Sequence, residues 1–260
     1  LKPSVSILGV PFHPFTLLEV LYRLNLACEK EERIFCVTPN PEICLRALKD
    51  HPFQNILRSA DLSIPDGFGI LWASRYLRGS RNFFRWIWTL LTPGRTLRLS
   101  DFPERVTGTD VMNQFVRSFP QRKIFLLGAS SDVNDRLTKK LLSAKVRVVG
   151  NFSGDPSPKN DANLREKINA SQAEVLFVAF GAPKQEAWIA RNFSSLRTVR
   201  VAMGVGGAFD FLAESKKRAP RWMRSWGLEW LYRVFIEPSR LKRILHATIV
   251  FPWKVYRLSS

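Results

Sequence analysis

EVLFVAFGAPKQEAWI, residues 174–189, runs an unbroken apolar stretch into a glycine-proline turn and then into a segment of helical character. A strand that is apolar at successive positions is buried on both faces, as in a parallel sheet with helices on either side. Working outward, RTVRVAMGVG (197–206) and KIFLLGAS (123–130) repeat the pattern of a strand ending in glycine. The second of these leads into a helix expected from about Ser131 or Asp132, and a short strand is expected at 145–149. Nearer the start, IFCVTPN (34–40) and ADLSIPDGFGI (60–70) are strands that end in polar, proline-containing turns. SVSILGV (4–10) reads as a first strand, with a helix over 17–30. Strands alternating with helices at this spacing predict an α/β fold with a mostly parallel, doubly wound sheet.

The 260 residues suffice for one such domain with room for an appendage. Forty Lys and Arg against 22 Asp and Glu leave a net charge of +18, which calls for a polyanionic partner. Cys28, Cys36 and Cys44 are odd in number and lack metal-ligand spacing, so they read as reduced core residues of a cytosolic protein. His13, His51 and His246 are scattered, which disfavours a His-based metal site or a Ser-His-Asp triad. No cofactor and no metal are expected, and chemistry should fall to carboxylates and arginines. No stretch approaches the roughly twenty apolar residues that span a bilayer, and neither end resembles a signal peptide.

The candidate site residues gather at strand ends, where open α/β sheets bind ligands. Thr38 and Asn40 follow one strand and Asp66 another; Asp66, next to a glycine, also reads as a turn or cap residue. Gly204, Gly206 and Gly207 would let backbone approach a diphosphate, and Asp210 would hold a ribose or base. This is neither a GxGxxG nor a GxxxxGK[ST] pattern, and a ligand-free strand-to-helix turn fits it too. Gln185 and Glu186 stand at a helix start, suited either to sugar hydroxyls or to capping. Residues 79–104 mix arginines and aromatics without a clear period and read as an insertion. They form either an amphipathic surface segment or a partly buried loop and helix. In the tail, Trp222, Trp226 and Trp230 lie among Arg218, Arg221, Arg224 and Arg233. That mixture suits a membrane interface with anionic headgroups; packing of the tryptophans on the core is the alternative.

Eight stretches carry a more specific signal: TPNPEI, ADLSIPDGFGI, ERVTGTD, FLLGAS, GAPKQEAWI, GVGGAFDFLA, KRAPRWM and GLEWLYRVFIEPSR. In this order they resemble the WecG/TagA/CpsF family of glycosyltransferases, from about residue 10 to residue 238. The resemblance implies a Rossmann-like core over 1–213 and a basic, Trp-rich helical C-terminal appendage over 214–260 that reaches the membrane. It implies transfer of N-acetylmannosamine, or its uronic acid, from a UDP-sugar donor to a polyprenyl-diphosphate-linked N-acetylglucosamine acceptor in bacterial surface-polymer synthesis. By motif, Asp66 would be the general base and Thr38 and Asn40 would line the sugar pocket. Arg105 and Gln185 would contact the donor, and Asp210 the nucleoside. Arg233, Arg240 and Arg243 would face the diphosphates. The stretch 79–104 is longer than the link usual in that family.

The expected enzyme is inverting and metal-independent, since no DxD motif is present and arginines can carry the leaving diphosphate's charge. It would be cytoplasmic and peripheral on the inner face of the cell membrane, with an anionic membrane surface as partner. A nucleic-acid reading would want basic residues along a groove with a known module, and no such module is visible, so nucleic acid is not expected. A non-catalytic membrane scaffold would make Asp66 dispensable. A homo-oligomer stays open, because an exposed apolar patch serves a lipid or a second subunit equally well.

Overall fold

The computed structural model describes residues 5–214 and 241–259. Its centre is a six-stranded sheet of β3 (Ile34–Val37), β4 (Leu62–Ser63), β5 (Ile124–Gly128), β6 (Val148–Phe152), β7 (Val175–Ala179) and β8 (Val201–Gly204). The order is β4-β3-β8-β7-β5-β6, with parallel pairing at each step. All five residues of β7 are buried, as its apolar run requires.

One face of the sheet, with Phe35, Val37, Leu176 and Ala202, is covered by α2 (Pro41–Ala47), α3 (His51–Arg58), α4 (Phe68–Leu77), α9 (Asp161–Ala170) and α10 (Lys184–Asn192). The other, with Cys36, Phe177 and Met203, is covered by α1 (Leu17–Glu29), α7 (Gly108–Ser118), α8 (Ser131–Ser143) and α11 (Ala208–Leu212). The fold is thus α/β and doubly wound, in the Rossmann-like manner. After β3 the chain turns to the first face, after β8 to the second, and after β7 to the first again. The winding therefore reverses on both sides of β8, and such reversals leave crevices at the strand ends.

Two expectations need correction. SVSILGV is not the first strand of the main sheet: β1 (Val5–Ile7) and β2 (Val10–Phe12) form a separate antiparallel hairpin. Its two-residue turn has positive φ at Leu8 (51°) and Gly9 (78°), the twist that closes a tight hairpin. Leu-Gly hides that turn in the sequence. The turn is held from α3, where Arg58 Nε donates to Gly9 O at 2.8 Å and Gln54 Nε2 to Leu8 O at 3.3 Å. The strand expected at 145–149 starts at Val148, because residues 144–146 still close the end of α8: Lys145 N donates to Leu142 O and Val146 N to Leu141 O.

The insertion folds as α5 (Phe83–Leu91), a 3-10 turn at Pro93–Arg95 and α6 (Thr96–Leu99). Asn82 caps α5, accepting from Arg85 N at 2.9 Å. Its other end is tied down by the buried Arg75 of α4. Arg75 Nη1 donates to Thr92 O at 2.6 Å and Nη2 to Thr92 Oγ1 at 2.7 Å, with a longer contact to Thr89 O. A cation at a helix C-terminus meets carbonyls that lack helical partners and the negative end of the dipole. Burial, with Arg85 and Arg95 nearby, draws the Arg75 pKa down.

After the undescribed stretch the chain resumes in α12 (Leu241–Leu245), passes through a π-helical turn at His246–Val250 and ends in α13 (Phe251–Ser259). Phe251 and Val255 are buried in the same core as α2 and α4. Removing the Arg75 staple should loosen the insertion first. Arg75→Met is expected to lower stability by about 1.5–3 kcal/mol, measured by denaturant unfolding. Amides of residues 83–99 should then exchange with deuterium well before those of β7, and an unchanged exchange pattern would show that Arg75 does not hold the insertion.

Candidate active site

Four neighbouring strand ends, those of β4, β3, β8 and β7, bring together the residues singled out in the core. Thr38 leaves β3 buried, and its hydroxyl donates to Gly204 O at 3.4 Å across the β3–β8 crevice. Gly108, which opens α7, lies against the same side chain: a Cβ there would sit 3.1 Å from Thr38 Oγ1. The ERVTG motif thereby reaches the β3 end, with the half-buried Arg105 three residues upstream.

Asn40 is the N-cap of α2; its Oδ1 accepts from Ile43 N at 3.0 Å, and the following Pro41 suits the first helical turn. Capping thus uses the oxygen of that side chain. The Asp66 loop is laced to the same turn. Ile64 N donates to Val37 O at 2.9 Å and Asp66 N to Pro39 O at 3.1 Å. Gly67 follows with φ of 100°, a conformation open to glycine, and serves as the N-cap of α4 without a side-chain bond. Asp66 therefore does not occupy the helix-cap position, and its carboxyl is half-buried beside the β3 turn.

Gln185 is placed differently from a surface ligand. It is buried, and its Oε1 accepts from Gly181 N at 3.2 Å and from Gly206 N at 3.0 Å. One carboxamide oxygen thus ties the loop after β7 to the loop after β8. Gly204 makes room for it, since a Cβ at that position would lie 2.7 Å from Gln185 Nε2. That nitrogen donates to Glu186 Oε1 at 2.8 Å. Glu186 is 2% exposed, and its Oε2 has no hydrogen-bond partner among the described residues. Burial pushes its pKa up, partly offset by the Gln185 bond. Gly206 has φ of 49°; Gly207 and Asp210 follow at the start of α11, with Asp210 half-buried.

FLLGAS contributes the neighbouring turn. Gly128 and Ala129 have φ of 100° and 58°, Ala129 N donates to Ala179 O at 3.0 Å, and Ser130 caps α8. A Cβ on Gly128 would lie 2.8 Å from Ala179 C, so only glycine fits. Sequence reasoning missed His13. It is buried, accepts through Nδ1 from Ser63 N at 3.0 Å, and exchanges a backbone bond with Ser63, three residues before Asp66. A lone histidine has no periodic signal, so nothing in the sequence marked it. Arg221, Arg224, Arg233 and Arg240 lie outside the described residues, as do Trp222, Trp226 and Trp230. Arg243 falls in α12, without a described side chain. Among the described residues no group of three or more His, Cys, Asp or Glu could hold a metal.

Parallel strands wound both ways around β8, with polar and glycine loops at their ends, define a Rossmann-like α/β protein with its crevice at the strand ends. The chain matches the Glycosyl transferase WecG/TagA/CpsF family over residues 5–94 and 85–259, and it belongs to that family. It is therefore a glycosyltransferase. Relatives carry the name N-acetylglucosaminyldiphosphoundecaprenol N-acetyl-beta-D-mannosaminyltransferase. The one from Bacillus subtilis (strain 168) is 32% identical over 80% of this chain and 73% of its own length. The one from Bacillus spizizenii is 30% identical over 84% and 77%, and that from Staphylococcus aureus (strain MRSA252) is 27% identical over 97% and 92%.

Two variants test the Gln185 assembly. Gly204→Ala should expel the carboxamide from its niche and lower transfer at least about tenfold, as a small displacement of a positioned group does, with the fold retained by circular dichroism. Glu186→Gln tests the buried acid. A carboxyl held neutral by burial gives its stability in full below its unfolded value of about 4.5 and loses it as pH rises toward the folded value. The Tm of Glu186→Gln relative to the native chain should therefore climb as pH is raised above about 4.5; a flat difference would mean that Glu186 is charged in the folded state.

Proposed function

We propose that this chain transfers N-acetylmannosamine, or its uronic acid, from UDP to N-acetylglucosamine carried on a polyprenyl diphosphate, with inversion at the anomeric carbon. The observation that carries the reading is the meeting of TPN, IPDG, PKQE and GVGG at adjacent strand ends, in a chain whose relatives bear that name. Asp66 takes the proton from an acceptor hydroxyl. The resulting oxygen bonds to the anomeric carbon, and the bond from that carbon to the diphosphate oxygen breaks, so that UDP leaves with the electron pair on the opposite face. The lacing of Asp66 N to Pro39 O fixes the distance between this base and the sugar pocket at Thr38 and Asn40.

Arg105 and the loop amides around Gly204, Gly206 and Gly207 serve the donor diphosphate, with Asp210 on the nucleoside. Arginines in place of a metal supply the positive charge that the leaving group needs. Gln185 acts by setting the two loops that meet the donor rather than by reaching into solvent. Residues 214–260 form the membrane-associating appendage, with Arg221, Arg224, Arg233, Arg240 and Arg243 directed to the acceptor diphosphate and lipid headgroups. Its last helix is anchored to the core through Phe251 and Val255. Among the described residues no helix is long and apolar enough to cross a membrane, which is consistent with a peripheral place on the inner face of the cell membrane.

The test is transfer from UDP-N-acetylmannosamine and from its uronic acid, separately, to a short-tailed acceptor analogue in excess chelator. Product from one donor is expected, undiminished by the chelator. Asp66→Asn should cut kcat by about 10²–10⁴ with little change in the KM for donor and an unchanged Tm. Full turnover by Asp66→Asn would overturn the assignment of the base.

A further inference from the structure

The inserted segment and the last stretch of the chain share a basic, acid-free composition. Residues 79–100 and 241–260 contain no Asp or Glu, while carrying four arginines in the first and two lysines and two arginines in the second. In three dimensions they form one surface. Trp86 Nε1 donates to Pro252 O at 3.1 Å. Phe83 and Trp86 pack on Tyr256 with centroids 6.1 and 5.7 Å away, and Trp86 meets Trp253 at 6.1 Å.

This aromatic seam is not a closed core, since Phe83 and Trp253 each keep close to half of their surface open to solvent. On either side of it each helix presents a stripe. On α5, Phe84, Trp88 and Leu91 recur at helical spacing and are 83%, 56% and 72% exposed, while Thr89 is buried and Arg75 fixes the helix from beneath. Through α12, the π-helical turn and α13, Leu241, Leu245, Ile249 and Trp253 recur every fourth residue, and all are exposed. The same two segments carry exposed cations, Arg81, Arg95 and Arg98 in the insertion and Lys254 and Arg257 in α13, with Arg257 5.9 Å from the centre of the Trp253 ring.

We propose that α5 is a second membrane anchor, and that it and the final helix dock as one face on an anionic bilayer, with their aromatic seam at headgroup depth. Large apolar side chains in the acyl boundary, aromatic rings at the interface and cations toward lipid phosphates are the chemistry of that surface. The absence of acids from both segments favours an anionic surface over a second copy of the same face, which would set like charges against each other. The proposal deepens the peripheral-membrane reading and rests on it, but assigns to the insertion a role that the appendage alone would otherwise fill. It also couples docking to the site. Phe251, on the buried side of the same helix, lies 3.7 Å from where a Cβ on Gly69 would be, three residues beyond Asp66. The face that meets the lipid is thus braced against the first turn of α4, which follows the loop that carries the base.

The test is co-sedimentation of the full chain with vesicles of phosphatidylcholine alone or with phosphatidylglycerol. The native chain should bind the anionic vesicles, less tightly as salt is raised. The triple variant Phe84→Ser, Trp88→Ser, Leu91→Ser should bind at least about tenfold more weakly. Native-like binding by that variant overturns the role of α5 and leaves the appendage as the anchor. Failure of the native chain to bind either vesicle removes the membrane reading itself and this inference with it. A native chain that sediments as a dimer and a variant that sediments as a monomer, without loss of vesicle binding, would assign the face to a second copy and overturn the proposal. Should the triple variant misfold, Trp88→Cys carrying an environment-sensitive fluorophore replaces it. The native cysteines are buried, so labelling is confined to the new site. A blue shift on anionic vesicles is expected, and no shift overturns the proposal.

Discussion

The carboxamide of Gln185 occupies the space where a side chain on Gly204 would be, and from there its oxygen holds the amides of Gly181 and Gly206. These belong to loops that follow adjacent strands but turn to opposite faces of the sheet. The strand pairing carries on as far as Val205, whose amide donates to Val178 O at 2.9 Å. Beyond it a single buried acceptor shared by two backbone donors ties the loops together, in a niche that is open because position 204 has no Cβ. The rest of the site is laid out from this point: Thr38 reaches Gly204 O from the next strand, and the Asp66 loop hangs from the Thr38 turn by two backbone bonds.

That chain of contacts explains why the site is built mostly of loop backbone. Glycosyl transfer with a diphosphate leaving group needs positive charge and amide donors where negative charge grows, and a base at a fixed distance from the attacking hydroxyl. In the proposed reaction, loops laced to neighbouring strand ends would supply the amides and the distance, at the crevices that a doubly wound sheet leaves. The buried Glu186, whose pKa burial pushes up, belongs to the same arrangement. It accepts from Gln185 Nε2 and so leaves the carboxamide oxygen facing the two glycine amides.

The insertion shows a different use of buried charge. Arg75 is held among the carbonyls and hydroxyls that end α5 and begin α6, which lets a short, very apolar helix keep one fixed face outward. Without such a staple, α5 would bury its aromatics wherever it could. With it, Trp86 meets the C-terminal helix and Phe84, Trp88 and Leu91 stay in solvent. The start and end of the described chain meet the elements on either side of the Asp66 loop: His13 accepts from Ser63 N of β4, and Phe251 packs beside Gly69 in the first turn of α4.

Much of this was legible in the sequence, because burial on both faces leaves continuous apolar runs and strand ends leave glycines and prolines. The six main strands, the doubly wound class and the positions of Thr38, Asn40, Asp66, Gln185 and Gly204 at strand ends follow from those local patterns. The hairpin at Leu8-Gly9 did not, since its turn lacks the usual residues and is stabilised from α3, fifty residues away. Nor did the clamp at Gln185, the histidine beneath the Asp66 loop, or the order of strands that makes β3, β8 and β7 neighbours. Each depends on contacts between segments far apart in the chain, and a one-dimensional pattern carries periodicity but not proximity. The sequence by itself determined which residues stand at the strand ends; only the tertiary structure decided which of those ends meet, because strand order and the packing of one buried carboxamide against a bare glycine exist only in three dimensions.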